Sequence, residues 1–252
     1  MSAPTPSFSF IVPALNEAKN LPAVMEEIAS IARKSAVHDY EVIVIDDGST
    51  DGTASAVAGL SSRYGNIKYV RNETRQGVGK SFLAGAAIAQ KKYCLIVPGD
   101  NEFDLDFFPG AVSMLSTGDS DFVVTHVLNP WLRPFHRRVI SFLYINIFNL
   151  LFQTDFRYTN GIVIYPTDWI SSVRLVSSGY TFQSEALLMA WHEGKRFACA
   201  GMNIRPRAHG KSKMFSFGVI AEILASLVRM KLAHHRPHHR RSLTGTDNTG
   251  SK

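Results

Sequence analysis

Hydrophobic positions along the chain follow two rhythms. Short apolar runs recur at residues 8–12 (FSFIV), 41–45 (EVIVI), 67–71 (IKYVR) and 93–97 (YCLIV). Runs this short, rich in β-branched residues and stopped by Pro, Gly or acidic clusters, predict strands. Between them the apolar positions return every three or four residues. Leu21, Val24, Ile28 and Ile31 share one helical face, and the spacing predicts helices over 20–36, 53–64 and 78–90. Asn20 is the expected N-cap of the first, with Pro22 in its first turn. A helix near 107–115 and a strand over 121–125 complete the first half. Strands alternating with helices predict an α/β fold, a mostly parallel Rossmann-like sheet with helices on both faces.

The second half reads differently. Residues 139–152 (VISFLYINIFNLLF) are almost continuously apolar, yet shorter than the roughly 20 residues that cross a bilayer, so they predict a buried or interfacial helix. Residues 214–233 contain Glu222 and Arg229, and their apolar positions Ile220, Ile223, Leu224, Leu227 and Val228 predict an amphipathic helix. Two uses of these apolar faces stand open: a membrane surface, or packing on the sheet or on a second copy in a homodimer. The segment 229–241 (RMKLAHHRPHHRR) opens a basic tail over 234–252, expected to be disordered like residues 1–7. Its His234, His235, His238 and His239 lack a rigid frame for a specific metal site.

Composition removes several classes. The 252 residues carry 27 Lys plus Arg against 21 Asp plus Glu, a net charge of +6, with 45% hydrophobic and 19% charged residues, which fits a globular protein rather than a disordered one. Two cysteines supply neither a disulfide framework nor a zinc site. MSAPTPS has no basic or apolar leader, so no signal peptide is expected. The basic excess sits in the tail, and no nucleic-acid partner is expected.

Ligands of parallel α/β sheets bind at the carboxyl edge of the strands. Three strands end there in polar clusters: PALNE (13–17), DDGSTDGT (46–53) and PGDNEFD (98–104). A carboxylate-rich edge suits ribose hydroxyls, base edges and a hard cation. Residues 75–81 (RQGVGKS) end like a phosphate-binding loop, but Thr74 stands where that motif needs Gly; Gly77 and Gly79 read as a tight turn before a helix. No G-x-G-x-x-G follows the first strand, against a dehydrogenase-type dinucleotide site.

FIVPALNE (10–17) and VIDDGSTDGT (44–53) resemble the family 2 glycosyltransferases of GT-A fold. GYTFQSE (179–185) and RAHGKSK (207–213) are similar to the dolichol- or polyprenyl-phosphate mannosyltransferase branch, here without its transmembrane helices. The resemblance spans about residues 8–215 and implies one GT-A domain, with a nucleotide-sugar half (8–125) and an acceptor half (126–215), followed by the amphipathic helix 216–233. It implies that Pro13, Ala14, Leu15 and Glu17 line the nucleotide pocket, that Asp46 takes base or ribose, and that Asp47 and Ser49 support it. A turn with an Asx cap is the plain alternative for the two acids.

In the family's metal motif, Pro98 replaces the first Asp, Asp100 keeps the second, and Glu102 falls at the third ligand. Two carboxylates can hold Mg²⁺ or Mn²⁺ when substrate phosphates and waters complete the shell. Arg137, Arg207 and Lys213 match the branch's phosphate-binding residues; a further Arg of the branch is missing near 126–127, and Arg133 or Arg138 is its candidate substitute. In the branch the helix within 139–152 rests on the membrane, with Arg133, His136, Arg137 and Arg138 toward headgroups.

The implied activity is inverting transfer of a sugar from a UDP- or GDP-sugar to a polyprenyl phosphate, in a cytoplasmic protein peripheral at the inner membrane face. Asp100, Glu185, Arg207 and Lys213 are its candidate catalytic residues. The alternatives are transfer to a saccharide or glycolipid hydroxyl with Glu185 as base, a non-catalytic nucleotide-sugar-binding homologue, and a nucleotidyltransferase, against which the acidic PALNE loop argues.

Overall fold

The computed structural model describes residues 5–177, 179–206 and 217–234, the side chains of 217–220 excepted. The first half runs β1 (Phe8–Ala14), α1 (Leu21–Lys34), β2 (Tyr40–Asp46), α2 (Thr53–Tyr64), β3 (Ile67–Arg71), α3 (Val78–Ile88), β4 (Tyr93–Ile96), α4 (Phe108–Ser116) and β5 (Phe122–Val127). The second half runs α5 (Phe135–Phe152), β6 (Val163–Pro166), α6 (Thr167–Ser172), α7 (Phe182–His192), β7 (Phe197–Met202) and α8 (Phe217–Ala233). All seven strands form one sheet in the order β3-β2-β1-β4-β6-β5-β7.

Pairing is parallel except around β6, which lies antiparallel between β4 and β5. The predicted mostly parallel α/β sheet is therefore the observed one. Alternate residues feed opposite faces, as the pleat requires. Val42 and Val44 join the core under α1, α2 and α4, whereas Ile43 and Ile45 join the core under α3, α5, α6, α7 and α8. Phe108 of α4 anchors the first core by packing edge-on against Phe8, ring centroids 4.8 Å apart.

Strand order reverses between β1 and β4, which both continue into polar loops at their carboxyl ends. That is the topological switch point where such sheets open a crevice. Helix α1 begins as the spacing predicts, with Pro in its first turn, but Asn20 does not cap it through its side chain. The Asn20 amide donates instead to the Glu17 carboxylate (2.6 Å), and the Glu17 carbonyl accepts from Leu21 N–H (3.0 Å). Gly77, with φ of 90°, precedes α3 as the tight turn expected there.

Among the described residues no helix is long and apolar enough to cross a membrane. Helix α5 buries Phe148 and Phe152 and ties Tyr144 O–H to Ser184 Oγ of α7 (2.8 Å). Helix α8 packs beside it through Leu227 and Met230, and Lys231 Nζ donates to the Leu151 carbonyl (2.7 Å).

Candidate active site

A cavity of about 1070 Å³ opens at the carboxyl ends of β1 and β4 and extends to the walls of α5 and α8. Its polar end is lined by Pro13, Ala14, Leu15, Glu17, Asp47, Asp51, Asp100 and Glu102. Hydrogen bonds join the first two motifs into one rim. Asn16 N–H donates to Ser49 Oγ (2.9 Å), Glu17 N–H to Thr53 Oγ1 (3.1 Å) and Thr50 N–H to Asn16 Oδ1 (2.8 Å), with Asn16 held at φ of 61°. The third motif is tied on by Gly99 N–H donating to the Pro13 carbonyl (3.2 Å).

Asp46 and Asp47 part company. Asp47 faces the cleft and accepts from Gln76 N–H (2.7 Å), Gly77 N–H (2.8 Å) and Asn72 Nδ2 (2.9 Å), so it holds the turn that starts α3. Asp46 has no exposed surface and does not line the cleft; it accepts from Ser49 N–H and Tyr69 O–H, both at 2.7 Å. Burial pushes its carboxyl up, but the bonds from Ser49 and Tyr69 and the charge of Arg71 outweigh it and hold the group below the usual carboxylate range. Burial and Asp46 together push the Tyr69 hydroxyl up to about 12. The expectation that Asp46 takes base or ribose is therefore corrected: it braces the loop from behind. Ser49, also buried and outside the cleft lining, supports Asn16 rather than a ligand.

Asp100 and Glu102 both lie on the cleft wall, around Asn101 at φ of 56°, and Glu102 N–H donates to Asp100 Oδ1 (3.2 Å). The described residues contain no group of three or more His, Cys, Asp or Glu able to hold a metal ion. Two hard oxygen donors of this kind fit a divalent cation that takes its remaining ligands from a diphosphate and water. The Glu102 carboxylate is paired with Arg133 (3.6 Å). Asp104 accepts from Asp106 N–H and pairs with Arg205.

The acceptor half adds cations to those that Lys19 and Arg75 bring to the cleft. Arg133 and Arg137 line the cleft, whereas Arg138 is exposed outside it. Arg133 Nη1 donates to Tyr158 O–H (2.8 Å). Burial works against the charge of Arg133, but Tyr158 and Glu102 more than offset it and hold the guanidinium protonated. Gln183 reaches the cleft and donates to the Gly161 carbonyl (2.7 Å). Asn160, on the same wall, has a buried side-chain oxygen with no hydrogen-bond partner among the described residues. Beyond these groups the wall becomes apolar, with Ile140, Leu143 and Ile147 of α5 facing Ile223, Leu224 and Leu227 of α8.

Glu185 requires a second correction. It has no exposed surface, lies outside the cleft lining, and accepts from Val176 N–H (2.8 Å) and Ser177 N–H (2.7 Å) while pairing with His234 Nε2 (2.8 Å). A carboxylate so enclosed cannot reach a substrate hydroxyl, and the structure gives it a bracing role. Arg207 and Lys213 lie outside the described residues. Sequence reasoning passed over Arg75 and the start of α3, which line the cleft at Arg75, Gly77 and Val78. The signal was present in RQGVGKS but belonged to a motif rejected for other reasons.

Comparison with known proteins follows the same lines. A solved structure of glucosyl-3-phosphoglycerate synthase from Mycobacterium tuberculosis with Mg²⁺ and UDP superposes with a TM-score of 0.68 over 89% of this chain and 79% of that one, at 16% identity. Another structure of that enzyme, with Mn²⁺, UDP-glucose and phosphoglyceric acid, gives 0.65 over 88% and 80%, at 19% identity. These likenesses show the GT-A fold. Undecaprenyl-phosphate mannosyltransferase of Micrococcus luteus is 27% identical over 236 residues, covering 88% of this chain and 93% of that protein. Dolichyl-phosphate beta-glucosyltransferase of Mus musculus is 34% identical over 138 residues, 51% of this chain, and the match covers 39% of that protein, so the chain spans well under half its length. The family model for glycosyl transferase family 2 matches residues 9–176, and the chain belongs to that family.

Proposed function

We propose that the chain moves a sugar from a nucleoside-diphosphate sugar to a polyprenyl phosphate, with inversion, at a membrane surface. One observation carries the reading: a single cavity joins a carboxylate rim, the arginines Arg75, Arg133 and Arg137, and an apolar channel between α5 and α8. Those three chemistries match a nucleotide-sugar with its cation, a phosphate, and a lipid chain. The Micrococcus relative, named for transfer to undecaprenyl phosphate, supports the same substrate class.

In this reading the donor lies along Pro13–Glu17 with Asp47 and Asp51 beside it, and Asn160 accepts a hydrogen bond from a donor hydroxyl. Asp100, with Glu102 as second ligand, would hold Mg²⁺ or Mn²⁺. The cation, when bound, offsets the negative charge that builds on the leaving diphosphate. Arg133 and Arg137 orient the acceptor phosphate, and Arg207 and Lys213 share that role. A phosphate oxygen attacks the anomeric carbon in line; the new C–O bond forms as the bond to the diphosphate breaks, and the nucleoside diphosphate leaves with the electron pair. The acceptor is already an anion at neutral pH, so no general base is needed and the enclosure of Glu185 is no obstacle. Catalysis rests on positioning and on fixed charge.

The test is label transfer to a short polyprenyl phosphate with Mn²⁺ present. Asp100→Asn should lower kcat by about 100-fold or more. A general base contributes about 10²–10⁴-fold, and Glu185→Gln should fall well short of that loss. Full activity of Asp100→Asn, or collapse of a folded Glu185→Gln, would overturn the assignment. Pro98 in the metal loop favours a second reading, a nucleotide-sugar-binding protein without turnover. Binding of UDP or GDP with no transfer to any acceptor selects it.

The exposed apolar side chains of α5 and its approach, with Phe135 at 75% and Leu150 at 81% exposure, form the membrane-facing surface in this account. The lipid channel opens between α5 and α8, so the acceptor enters from the bilayer that α5 touches. A homodimer through this face would close that entrance.

A further inference from the structure

We propose that Arg133 and Glu102 form an exchange pair that couples the acceptor's phosphate to the donor's cation. The inference rests on the functional reading above and adds to it an order of engagement built into this chain.

Arg133 lies between the two halves of the cavity. Its Nη1 is committed to Tyr158 O–H at 2.8 Å. Its Nη2 reaches Glu102 at 3.6 Å, well beyond the roughly 2.7–2.9 Å of a tight charge-assisted bond. Its Nε is buried and has no hydrogen-bond partner among the described residues. The Nε and Nη2 donors lie on one edge of the guanidinium, the edge that takes two oxygens of a phosphate side by side. That edge is half engaged and half orphaned, and an orphaned buried donor gains on meeting an acceptor. An arriving phosphate that takes both positions satisfies Nε and displaces Glu102 from Nη2.

The displaced carboxylate has a second use within reach. Glu102 is two residues from Asp100 on the same turn, and both line the cleft. Both members of the Arg133–Glu102 pair are mostly enclosed, with side chains 14% exposed, so the two charges are not idly solvated. While Glu102 neutralises Arg133, it is a poor metal ligand and Arg133 a poor phosphate ligand. Once phosphate replaces it, Glu102 joins Asp100 on the cation. Phosphate and cation therefore bind with positive coupling, and the donor is fully metallated only when an acceptor is in place. Water is then a weaker competitor for the sugar. Linkage makes the effect reciprocal: the cation tightens the phosphate by the same factor.

The experiment is calorimetric titration of Mn²⁺ into the full chain with UDP present, without and with a saturating short-chain polyprenyl phosphate. The expected result for the wild-type chain is Mn²⁺ affinity about tenfold tighter when the phosphate is present, within the range of ordinary coupling. Glu102→Gln cannot form the ion pair. It should bind the phosphate more tightly than wild type, with Mn²⁺ affinity that no longer responds to it. Arg133→Gln should bind Mn²⁺ at the tighter value without any phosphate. A purely structural role for the pair predicts weaker binding of everything in both variants and no change in the coupling factor. Wild-type chain that binds UDP, Mn²⁺ and phosphate with no coupling overturns the exchange and leaves the functional reading intact. No binding of UDP with Mn²⁺ at all overturns the donor site and the exchange with it.

Discussion

Asp46 and Asp47 are neighbours with opposite work because the strand they end has a two-residue repeat. Successive side chains of β2 point to opposite faces. Asp46 follows Val42 and Val44 onto the α1 side, where Ser49 and Tyr69 enclose it. Asp47 takes the other side, toward the turn before α3. Two adjacent acids were legible as a site from the sequence, but which one met the cleft depended on the strand's last paired residue, Ala14 with Asp46. Tyr69→Phe tests the bracing role. It removes a hydrogen bond to a charged group and should lower stability by about 1–2 kcal/mol at pH 7 in urea unfolding. The carboxyl of Asp46 is depressed in the folded state, so its contribution is present above the unfolded value and is lost as pH falls through the folded one. The gap between variant and wild type should therefore narrow in acid; a gap that stays constant down to acid denaturation would show that the bond does not depend on the ionised carboxylate.

Elements of the first half were readable to within a few residues, because the strands are short apolar runs closed by polar clusters and α1 has a sustained apolar face. Neither β6 nor β7 of the second half was predicted. The run IVIY (162–165), stopped by Pro166, carries as good a strand signal as the run of β4 and was passed over. FACAGM, with two Ala and a Gly, carries a weak one, and long-range pairing with β5 supplies what local preference lacks. The Arg133–Tyr158 and Arg133–Glu102 contacts were invisible for the same reason, since no local pattern announces a pairing between distant loops. Gly161, just before β6, shows how closely these pieces fit. A Cβ there would meet Thr125 Oγ1 at 2.4 Å and the Thr125 carbonyl at 2.9 Å. Gly161→Ala should cost about 1–3 kcal/mol by overpacking and displace the carbonyl that Gln183 holds. Urea unfolding and transfer rate report the two effects separately, and an unchanged unfolding midpoint would show that the loop yields instead.

For the molecule as a whole, the arrangement of charge and apolar surface sets where it works. Carboxylates gather at the sheet's carboxyl edge, arginines sit between that edge and α5, and apolar side chains cover the outer faces of α5 and α8. The apolar faces were readable from the sequence, but their use was not, because a helix face looks alike whether it meets a bilayer or a second subunit. Phe135→Ser with Phe142→Ser should leave the fold intact and reduce cosedimentation with anionic vesicles several-fold; undiminished binding together with a loss of dimer in solution would assign the face to a subunit contact. The account's central claim is that one cleft brings an activated sugar to a lipid phosphate. It is tested most directly by offering radiolabelled UDP- and GDP-sugars with Mn²⁺ to a short polyprenyl phosphate, the corresponding polyprenol and a soluble saccharide in parallel. The predicted result is label in the polyprenyl phosphate alone, with one nucleotide preferred. Label in the alcohol or the saccharide with none in the phosphate would contradict it.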